Sequence, residues 1–268
     1  MTGRRVLLAY VHSGETVAYS WHESMMGLAF HFVQSEHFGA KLPIRYGTGG
    51  LVQARNKAVD ILLEQNELDW LFWIDTDMGF EPSIVDDLMV HADPLERPVV
   101  GALCFINHEV HDDGYNGSAT MPKPTIFNWA KNPDGTTGFV PNMHYQRDAL
   151  VKCDATGSAA VVIHRSVFEK IRDRNGGNYY GHIALPDEDV PLSEDLSFCV
   201  RCVEEDVPIH IATGVKTTHY KPRWLSERDL DMAMLAHEAE QAKGSSGVVP
   251  INHRPNREQR RAEAKRRA

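Results

Sequence analysis

The fold of this chain is decided by the stretch LDWLFWIDTDM, which runs from Leu68 to Met78. A short apolar run that ends in turn-forming residues predicts a buried strand, and here two aspartates, Asp75 and Asp77, close the run. Side chains alternate along an extended backbone, so both carboxylates should point the same way from the carboxyl end of the strand. That is the edge at which open α/β sheets bind ligands. Two carboxylates this close repel each other unless a cation neutralises them, and oxygen ligands suit Mg²⁺ or Mn²⁺.

The two aspartates also have a purely structural explanation. Asp and Thr are common N-cap residues, so the segment from Asp75 to Asp77 could cap the helix that is predicted to begin near Ser83. A cap needs one side-chain oxygen, however, and it does not need an apolar strand before it. The flanking sequence therefore favours a ligand site over a cap.

Length and composition limit the class of protein. A chain of 268 residues is long enough for one large α/β domain or two small ones. No apolar stretch reaches the roughly 18 residues expected of a membrane span, and the N-terminus lacks the pattern of a signal peptide. Four cysteines without a secretory signal indicate a reducing compartment. We therefore expect a cytoplasmic protein without a membrane span.

Charge is distributed unevenly along the chain. The formal net charge is -9, but the segment from Ile251 to the end carries seven basic and two acidic residues, a net of +5, which leaves -14 for the rest. An acidic body argues against a protein that binds nucleic acid specifically. The basic end follows Gly244–Gly247, a composition typical of flexible linkers. Residues 244–268 are accordingly predicted to be a linker and a solvated basic tail.

The N-terminal part of the chain alternates strands with helices, which predicts a mostly parallel sheet with helices on its faces. The predicted strands there are Val6–Val11, Lys41–Tyr46, the run that ends at Asp75, and Pro98–Phe105; the predicted helices are Gly27–Glu36, Leu51–Glu64 and Ser83–His91.

The C-terminal part is less regular. Residues Asn107–Arg147 are polar and are predicted to be a functional loop region with short strands only at Thr125–Trp129 and Thr137–Val140. The later predicted elements are strands at Leu150–Cys153, Ser158–His164 and Pro208–Ala212, and helices at Ser166–Asn175, Ser193–Glu205 and Ser226–Lys243.

A second acidic cluster begins the helix that is predicted at Ser193. Ser193 has the character of an N-cap, and Glu194 and Asp195 lie in the first turn, where the helix dipole favours anions. That accounts for both acids structurally. A carboxylate at a helix start that faces a cleft can also act as a general base.

Three other features could bind ligands. The glycine-rich turn Gly47–Gly50 precedes a helix, whose N-terminal N–H groups can bind phosphate, although the chain has no P-loop motif. Arg55, in the second turn of that helix, could reach a diphosphate, or it could be an ordinary exposed arginine. His219 follows the last predicted strand and would be a plausible third cation ligand if it lay beside Asp77, although most histidines are structural.

Taken together, the order and spacing of these residues resemble the GT-A-fold, family-2-like glycosyltransferases, which use nucleotide sugars. The matching pieces span roughly residues 4–224 and are the first strand, Ala54–Val59, the strand into Asp75–Asp77, Val99–Ala102, Ala155–Ala159, Ser193–Cys199 and His219. The resemblance implies a GT-A-type, Rossmann-like sheet within one catalytic domain over residues 1–243. Its nucleotide-sugar half would cover about 1–105, its acceptor half about 106–224 and a C-terminal helix about 225–243.

The resemblance also implies roles for single residues. Asp77 would bind Mn²⁺ or Mg²⁺ directly, Asp75 would contact the cation or the ribose, and His219 would complete the set. Asp195 would be the catalytic base of an inverting enzyme, which we favour over a retaining one. The remaining contacts of the nucleotide sugar would come from Tyr10, Val11, His12, Arg55, Asn56, Thr76 and Glu194.

The implied reaction moves a sugar from a UDP- or GDP-sugar to a hydroxyl of a glycan or protein. Two alternatives stay open. A sugar nucleotidyltransferase has a related fold, but it would carry a basic glycine-rich loop after the first strand, where this chain has no Arg or Lys in residues 11–16. A non-catalytic module that binds nucleotide sugars or glycans is the other alternative. The basic end also resembles that of glycosyltransferases encoded by actinobacterial phages, for which the compartment would be the host cytoplasm.

Overall fold

A computed structural model describes residues 5–12, 16–45, 49–110, 119–131, 137–184, 190–221 and 234–235. The chain divides into two compact units. The first comprises Met1–His108 and Met121–Arg223, and it contains the sheet and the candidate site. The second comprises Glu109–Thr120 and Trp224–Ala268, of which only 109–110, 119–120 and 234–235 are described. Within the described residues, no helix combines the length and the apolar character that crossing a membrane requires.

Twelve strands and five helices are defined in the described ranges. The strands are β1 (Val6–His12), β2 (Phe38–Arg45), β3 (Trp70–Ile74), β4 (Met78–Phe80), β5 (Val99–Leu103), β6 (Phe105–Val110), β7 (Ala119–Pro124), β8 (Phe127–Lys131), β9 (Thr137–Pro141), β10 (Leu150–Cys153), β11 (Ala160–His164) and β12 (Ile209–His219). The helices are α1 (Tyr19–Phe32), α2 (Gly50–Glu64), α3 (Ile84–His91), α4 (Arg165–Asn175) and α5 (Glu194–Glu204).

The central sheet has the strand order β10-β12-β5-β11-β3-β1-β2, and β4 pairs with the far end of β12. β1 is parallel to β2 and β3, and β5 is parallel to β12. β11 is antiparallel to both β3 and β5, and β10 is antiparallel to β12. Five of the seven strands in this order therefore run in the same direction, namely β1, β2, β3, β5 and β12, so the sheet is mostly parallel in strand direction, as the alternation of strands and helices predicted. Two further two-stranded sheets, β6-β7 and β8-β9, lie outside it.

Helices cover both faces of this sheet because its central strands are apolar on both sides. All five residues of β3 are buried. Trp73 packs in the core formed with α2, α4 and α5, whereas its neighbour Phe72 packs in the core formed with α1 and α3. The prediction of a fully buried strand before the two aspartates is confirmed, and so is the mixed α/β class.

Several predicted boundaries were wrong. The first helix begins at Tyr19 and not at Gly27, because its N-cap is Ala18, which makes no side-chain cap bond and so gives no start signal in the sequence. The last strand continues past Ala212 to His219 because its second half pairs with β4, which was not predicted. Two strands, β6 and β7, occur in the region that was predicted to be loop. The predicted helix Ser226–Lys243 and the tail lie outside the described residues, apart from 234–235.

Candidate active site

The two aspartates lie in the tight turn between β3 and β4. The N–H of Asp75 donates to Ala159 O at 2.9 Å, which continues the β3–β11 ladder, and Met78 N donates to Asp75 O at 3.2 Å to close the turn. The carbonyl of Thr76 accepts from Ala18 N at 2.9 Å. The side chains of Asp75 and Asp77 are 32% and 33% exposed. Both carboxylates therefore lie at the carboxyl end of a buried strand, as the sequence predicted.

The carboxylate of Asp75 is paired with Arg55. Arg55 projects from α2 and is only 1% exposed. The interpretation of Arg55 as an ordinary exposed arginine is therefore wrong. Its Nη2 lies 3.2 Å from Asp75 Oδ1 and 3.7 Å from Asp195 Oδ1, and its Nε lies 3.6 Å from Glu194 Oε1. Three carboxylates from two distant segments therefore surround one buried guanidinium.

Charge explains why this arrangement is tolerated. Burial alone would lower the pKa of Arg55, but Asp75, Asp195 and Glu194 raise it above its usual value, so the guanidinium stays charged. For Asp75 the balance is reversed, since burial and the negative charges of Asp195 and Asp77 outweigh Arg55 and raise the pKa of Asp75 to about 6. Burial and the adjacent Asp195 also raise the pKa of Glu194. One positive charge does not offset three negative ones, and the cluster keeps an excess of negative charge.

Two aromatic rings also contact the guanidinium, which is a favourable arrangement for a buried cation. The Cζ of Arg55 lies 4.9 Å from the ring centre of Trp73 and 5.7 Å from that of Tyr180. Trp73 Nε1 donates to the hydroxyl of Tyr180 at 2.8 Å, and Tyr180 stacks on Phe198 of α5 with ring centres 4.9 Å apart. Tyr180 was not among the predicted site residues, because it lies in a segment without periodicity and nothing local to it indicates a ligand site.

Asn56 ties this aromatic layer to α2. Its Oδ1 accepts from Tyr180 N at 2.9 Å, and its Nδ2 donates to Asn178 Oδ1 at 3.3 Å. The side chain thus positions the segment that carries Tyr180. A direct contact between Asn56 and a nucleotide sugar stays a prediction.

Asp77 has a different environment from Asp75, although only one residue separates them. Its Oδ2 accepts hydrogen bonds from His219 Nε2 at 3.0 Å and from Lys221 Nζ at 2.7 Å. Burial acts in the opposite direction, but these two bonds lower the pKa of Asp77 to about 2. Lys221 was not predicted, because a lysine just beyond a strand end is indistinguishable in sequence from a solvated one.

His219 is oriented by a backbone carbonyl. Its Nδ1 donates to Phe105 O at 2.6 Å, so the neutral ring would carry its proton on Nδ1 and leave a lone pair on Nε2, directed at Asp77. A hydrogen bond from Nε2 to the Asp77 carboxylate requires a second proton on the ring. Burial lowers its pKa, but the bonds to Asp77 and Phe105 outweigh burial and raise it.

The predicted three-residue cation site is not present as such. Within the described ranges, no three His, Cys, Asp or Glu side chains are grouped to hold a metal ion, because Asp75 is turned to Arg55. Asp77 and His219 do lie together, with Oδ2 and Nε2 hydrogen-bonded at 3.0 Å, and a carboxylate with an imidazole is a donor set that divalent ions accept. A ligating histidine typically donates its other N–H to a carbonyl, as His219 does to Phe105.

Asp195 lies in the first turn of α5, as the sequence predicted, and its role as a general base stays a prediction. Ser193 caps α5 by accepting from Leu196 N at 3.4 Å, and the first turn directs Glu194 and Asp195 at Arg55. The Oδ1 of Asp195 is buried but has no hydrogen-bond partner among the residues that the structure describes. Gly157 leaves room beside this carboxylate, since a Cβ there would lie 3.6 Å from Asp195 Oδ2.

A cavity of about 450 Å³ adjoins the start of α2. The helix begins after Gly49 without a side-chain cap, so its first N–H groups are available to an anion. The cavity lining includes the basic residues Arg45 and Lys57 and the acidic residue Asp60. Of the predicted glycine-rich turn, residues 47 and 48 lie outside the described part of the chain.

The three residues at the end of β1 that were predicted to border the nucleotide base differ in their surroundings. Tyr10 packs edge-on against Trp21 at 5.0 Å, with Lys41 Nζ 5.3 Å from its ring centre. The side chain of Val11 is buried in the core, so only its backbone could contact a nucleotide. The rings of His12 and Tyr10 are 6.0 Å apart. That these residues border a base stays a prediction, as does a side-chain role for Thr76.

No protein-family model matches the chain, and none of the curated proteins matches it. Among solved structures, the chain is similar to A197 from STIV, with 14% identity and a TM-score of 0.42 over 81% of this chain and 86% of that one. It is also similar to GalNAc-T7, solved with UDP, GalNAc and Mn²⁺, with 10% identity and a TM-score of 0.47 over 82% of this chain and 44% of that one. At these values neither likeness assigns a family or an activity.

Proposed function

We propose that this chain is a GT-A-type glycosyltransferase, which moves a sugar from a nucleoside-diphosphate donor to an acceptor hydroxyl with the help of a divalent cation. One observation carries the proposal. The carboxyl end of β3 combines an aspartate–histidine pair that suits a cation with a separate aspartate, Asp195, whose Oδ1 is held at a buried arginine and whose Oδ2 adjoins the space beside Gly157. Glycosyl transfer needs both functions, charge neutralisation at the leaving group and a base at the acceptor.

Asp77 and His219 would hold the cation. Carboxylate oxygen and imidazole nitrogen are compatible with Mn²⁺, whereas Mg²⁺ prefers oxygen alone. Two protein ligands leave positions for water and for donor phosphate oxygens, which is how such ions are commonly bound. When bound, the cation would neutralise the negative charge that develops on the leaving nucleoside diphosphate.

Asp195 would act on the acceptor in an inverting reaction. The acceptor oxygen forms a bond to the anomeric carbon, its proton passes to the Asp195 carboxylate, and the bond from that carbon to the diphosphate oxygen breaks with its electrons on the diphosphate. Oδ2 of Asp195 would receive that proton, because the space beside Gly157 gives an acceptor access to it, whereas Oδ1 is buried and lies 3.7 Å from Arg55 Nη2. The guanidinium of Arg55, 3.7 Å from Oδ1, restricts the orientation of Asp195.

The donor would lie between this cluster and the start of α2. Arg45, Lys57 and the N–H groups at the helix start supply positive potential for phosphate. Arg55 is only 1% exposed and its Nε already faces Glu194 Oε1 at 3.6 Å, so a direct contact between Arg55 and a donor stays a prediction. Tyr10, His12 and Thr76 remain the expected contacts of the nucleoside, and UDP- or GDP-sugars the expected donors.

The test is to incubate the protein with UDP-, GDP- and dTDP-sugars in Mn²⁺ or in EDTA and to measure release of nucleoside diphosphate. We expect release with Mn²⁺ that EDTA abolishes. Pyrophosphate formed from nucleoside triphosphate and sugar phosphate would instead identify a nucleotidyltransferase. Nucleotide-sugar binding without turnover, with acceptors present, would identify a binding module.

Asp195→Asn tests the base. Because the substitution keeps the shape of the side chain but removes its basicity, donor affinity should stay within about twofold and transfer should fall by at least about a hundredfold. Asp173→Asn, at an exposed position on α4, is the matched control and should behave as wild type. Wild-type transfer by Asp195→Asn would remove Asp195 from the base role.

A further inference from the structure

Lys221 binds the same oxygen that the cation would need. It lies two residues beyond the end of β12, and its Nζ is 2.7 Å from Asp77 Oδ2, closer than His219 Nε2 at 3.0 Å. The backbone there is held in place, because Tyr220 N donates to Asp77 O at 2.8 Å. The side chain of Lys221 is 41% exposed, so it can leave Asp77 without unpacking the core.

We propose that Lys221 and a divalent cation occupy Asp77 in turn, so that the cation binds only when the ammonium group has moved away. This inference rests on the proposed function only in taking Asp77 and His219 as the cation ligands. An oxygen that binds a divalent ion at about 2.1 Å cannot keep an ammonium at 2.7 Å, because the two cations would be almost in contact and would repel each other.

The other charges at the site do not relieve this competition. Asp75 could in principle receive the displaced ammonium or share the cation, but its Oδ1 is paired with Arg55 at 3.2 Å. Glu194 and Asp195 face the same guanidinium. Asp77 is therefore the carboxylate for which Lys221 and the cation compete.

The competition links cation binding to donor binding. Without a donor, Lys221 keeps Asp77 neutralised and the cation binds weakly. A diphosphate supplies oxygens to the cation and a new anionic partner for the released ammonium, so each ligand should strengthen the binding of the other. Linkage requires the effect to be reciprocal. Lys221 thus makes the cation affinity conditional on a diphosphate.

The experiment is to titrate the metal-free protein with Mn²⁺, without nucleotide, and to measure free Mn²⁺ by electron paramagnetic resonance. Lys221→Met removes a charge-assisted hydrogen bond that competes with the ion. This variant should therefore bind Mn²⁺ about tenfold more tightly than wild type does. Lys216→Met is the matched control, since Lys216 lies on β12, five residues before Lys221, and is also paired with an aspartate, Asp148, at 3.1 Å. It should bind Mn²⁺ as wild type does.

Repeating the titrations with UDP measures the coupling. UDP should tighten Mn²⁺ binding to wild type by a larger factor than to Lys221→Met. Unchanged or weaker Mn²⁺ affinity in Lys221→Met, checked with Lys221→Gln and with unfolding curves that show both variants folded, would overturn the inference. So would tighter binding that persists when Asp77→Asn is added. Tighter binding that needs Asp77, in a protein that transfers no sugar, would uphold the inference while refuting the proposed activity.

Discussion

Asp75 and Asp77 should have opposite effects on stability when each is replaced by asparagine. The pKa of Asp75 rises from 3.8 to about 6 in the folded protein, so the folded state binds this proton more tightly than the unfolded state does. Wild type therefore loses stability as the pH rises from about 4 through 6. Asparagine resembles the protonated acid, so Asp75→Asn should be more stable than wild type at pH 7.5, although it removes an ion pair with Arg55.

The magnitude follows from the two pKa values. A change from 3.8 to about 6 corresponds to about 3 kcal/mol. Because a third of the side chain is exposed and solvent screens its charge, we expect an increase of about 1–2 kcal/mol in the unfolding free energy. This gain should almost vanish at pH 4, where Asp75 is protonated in the folded wild type.

Asp77 supplies the matched comparison. Its pKa falls from 3.8 to about 2 on folding, so its contribution to stability is fully present above about pH 4 and is lost as the pH falls through 2. Asp77→Asn should therefore lose about 1 kcal/mol at pH 7.5, after allowance for screening. That loss should persist at pH 5.

The assay is urea unfolding in EDTA, followed by tryptophan fluorescence at pH 4, 5 and 7.5. Differences between variant and wild type at each pH cancel the titration of groups that lie far from the substituted aspartate. If Asp75→Asn is less stable than wild type at pH 7.5, or if its difference is the same at pH 4 and 7.5, then Arg55 outweighs burial at Asp75 and the electrostatic description of the cluster is wrong.

Three further outcomes are expected. Arg55→Met should lower the unfolding free energy by about 3 kcal/mol at pH 7.5, because it leaves three carboxylates around an uncharged side chain; Arg174→Met, at an exposed arginine, should lower it by less than about 1 kcal/mol. Tyr180→Phe should lower the unfolding free energy by about 1–2 kcal/mol, because the buried indole N–H of Trp73 loses its acceptor. Urea unfolding measures this loss, and an unchanged midpoint would contradict it. The four cysteines are free and buried, and burial raises the pKa of Cys104 to about 12, so an aromatic disulfide reagent should modify them only in denaturant; rapid reaction of the folded protein would contradict their burial.

Much of the fold could be predicted because its signals are local. β3 is a short run of large apolar residues, and α2 shows apolar residues at helical spacing, so each pattern indicates its element without reference to the rest of the chain. The alternation of such elements predicts a mostly parallel sheet. The sequence failed where local signals are absent, as for β4, whose three residues form a strand only because the end of β12 pairs with them.

The sequence alone predicts that two aspartates follow a buried strand and that Asp195 lies in the first turn of a helix, since these features depend on neighbours along the chain. What those carboxylates contact depends on the tertiary structure. Arg55 meets Asp75 across 20 positions of sequence, and Lys221 meets Asp77 across 144. Sequence spacing cannot predict different partners for two aspartates on either side of one threonine. In the structure, however, Asp75 binds a buried guanidinium, whereas Asp77 binds a histidine and a lysine. The physical reason is that a carboxylate's partner and pKa depend on the charges and burial around it, which the packing of distant segments creates.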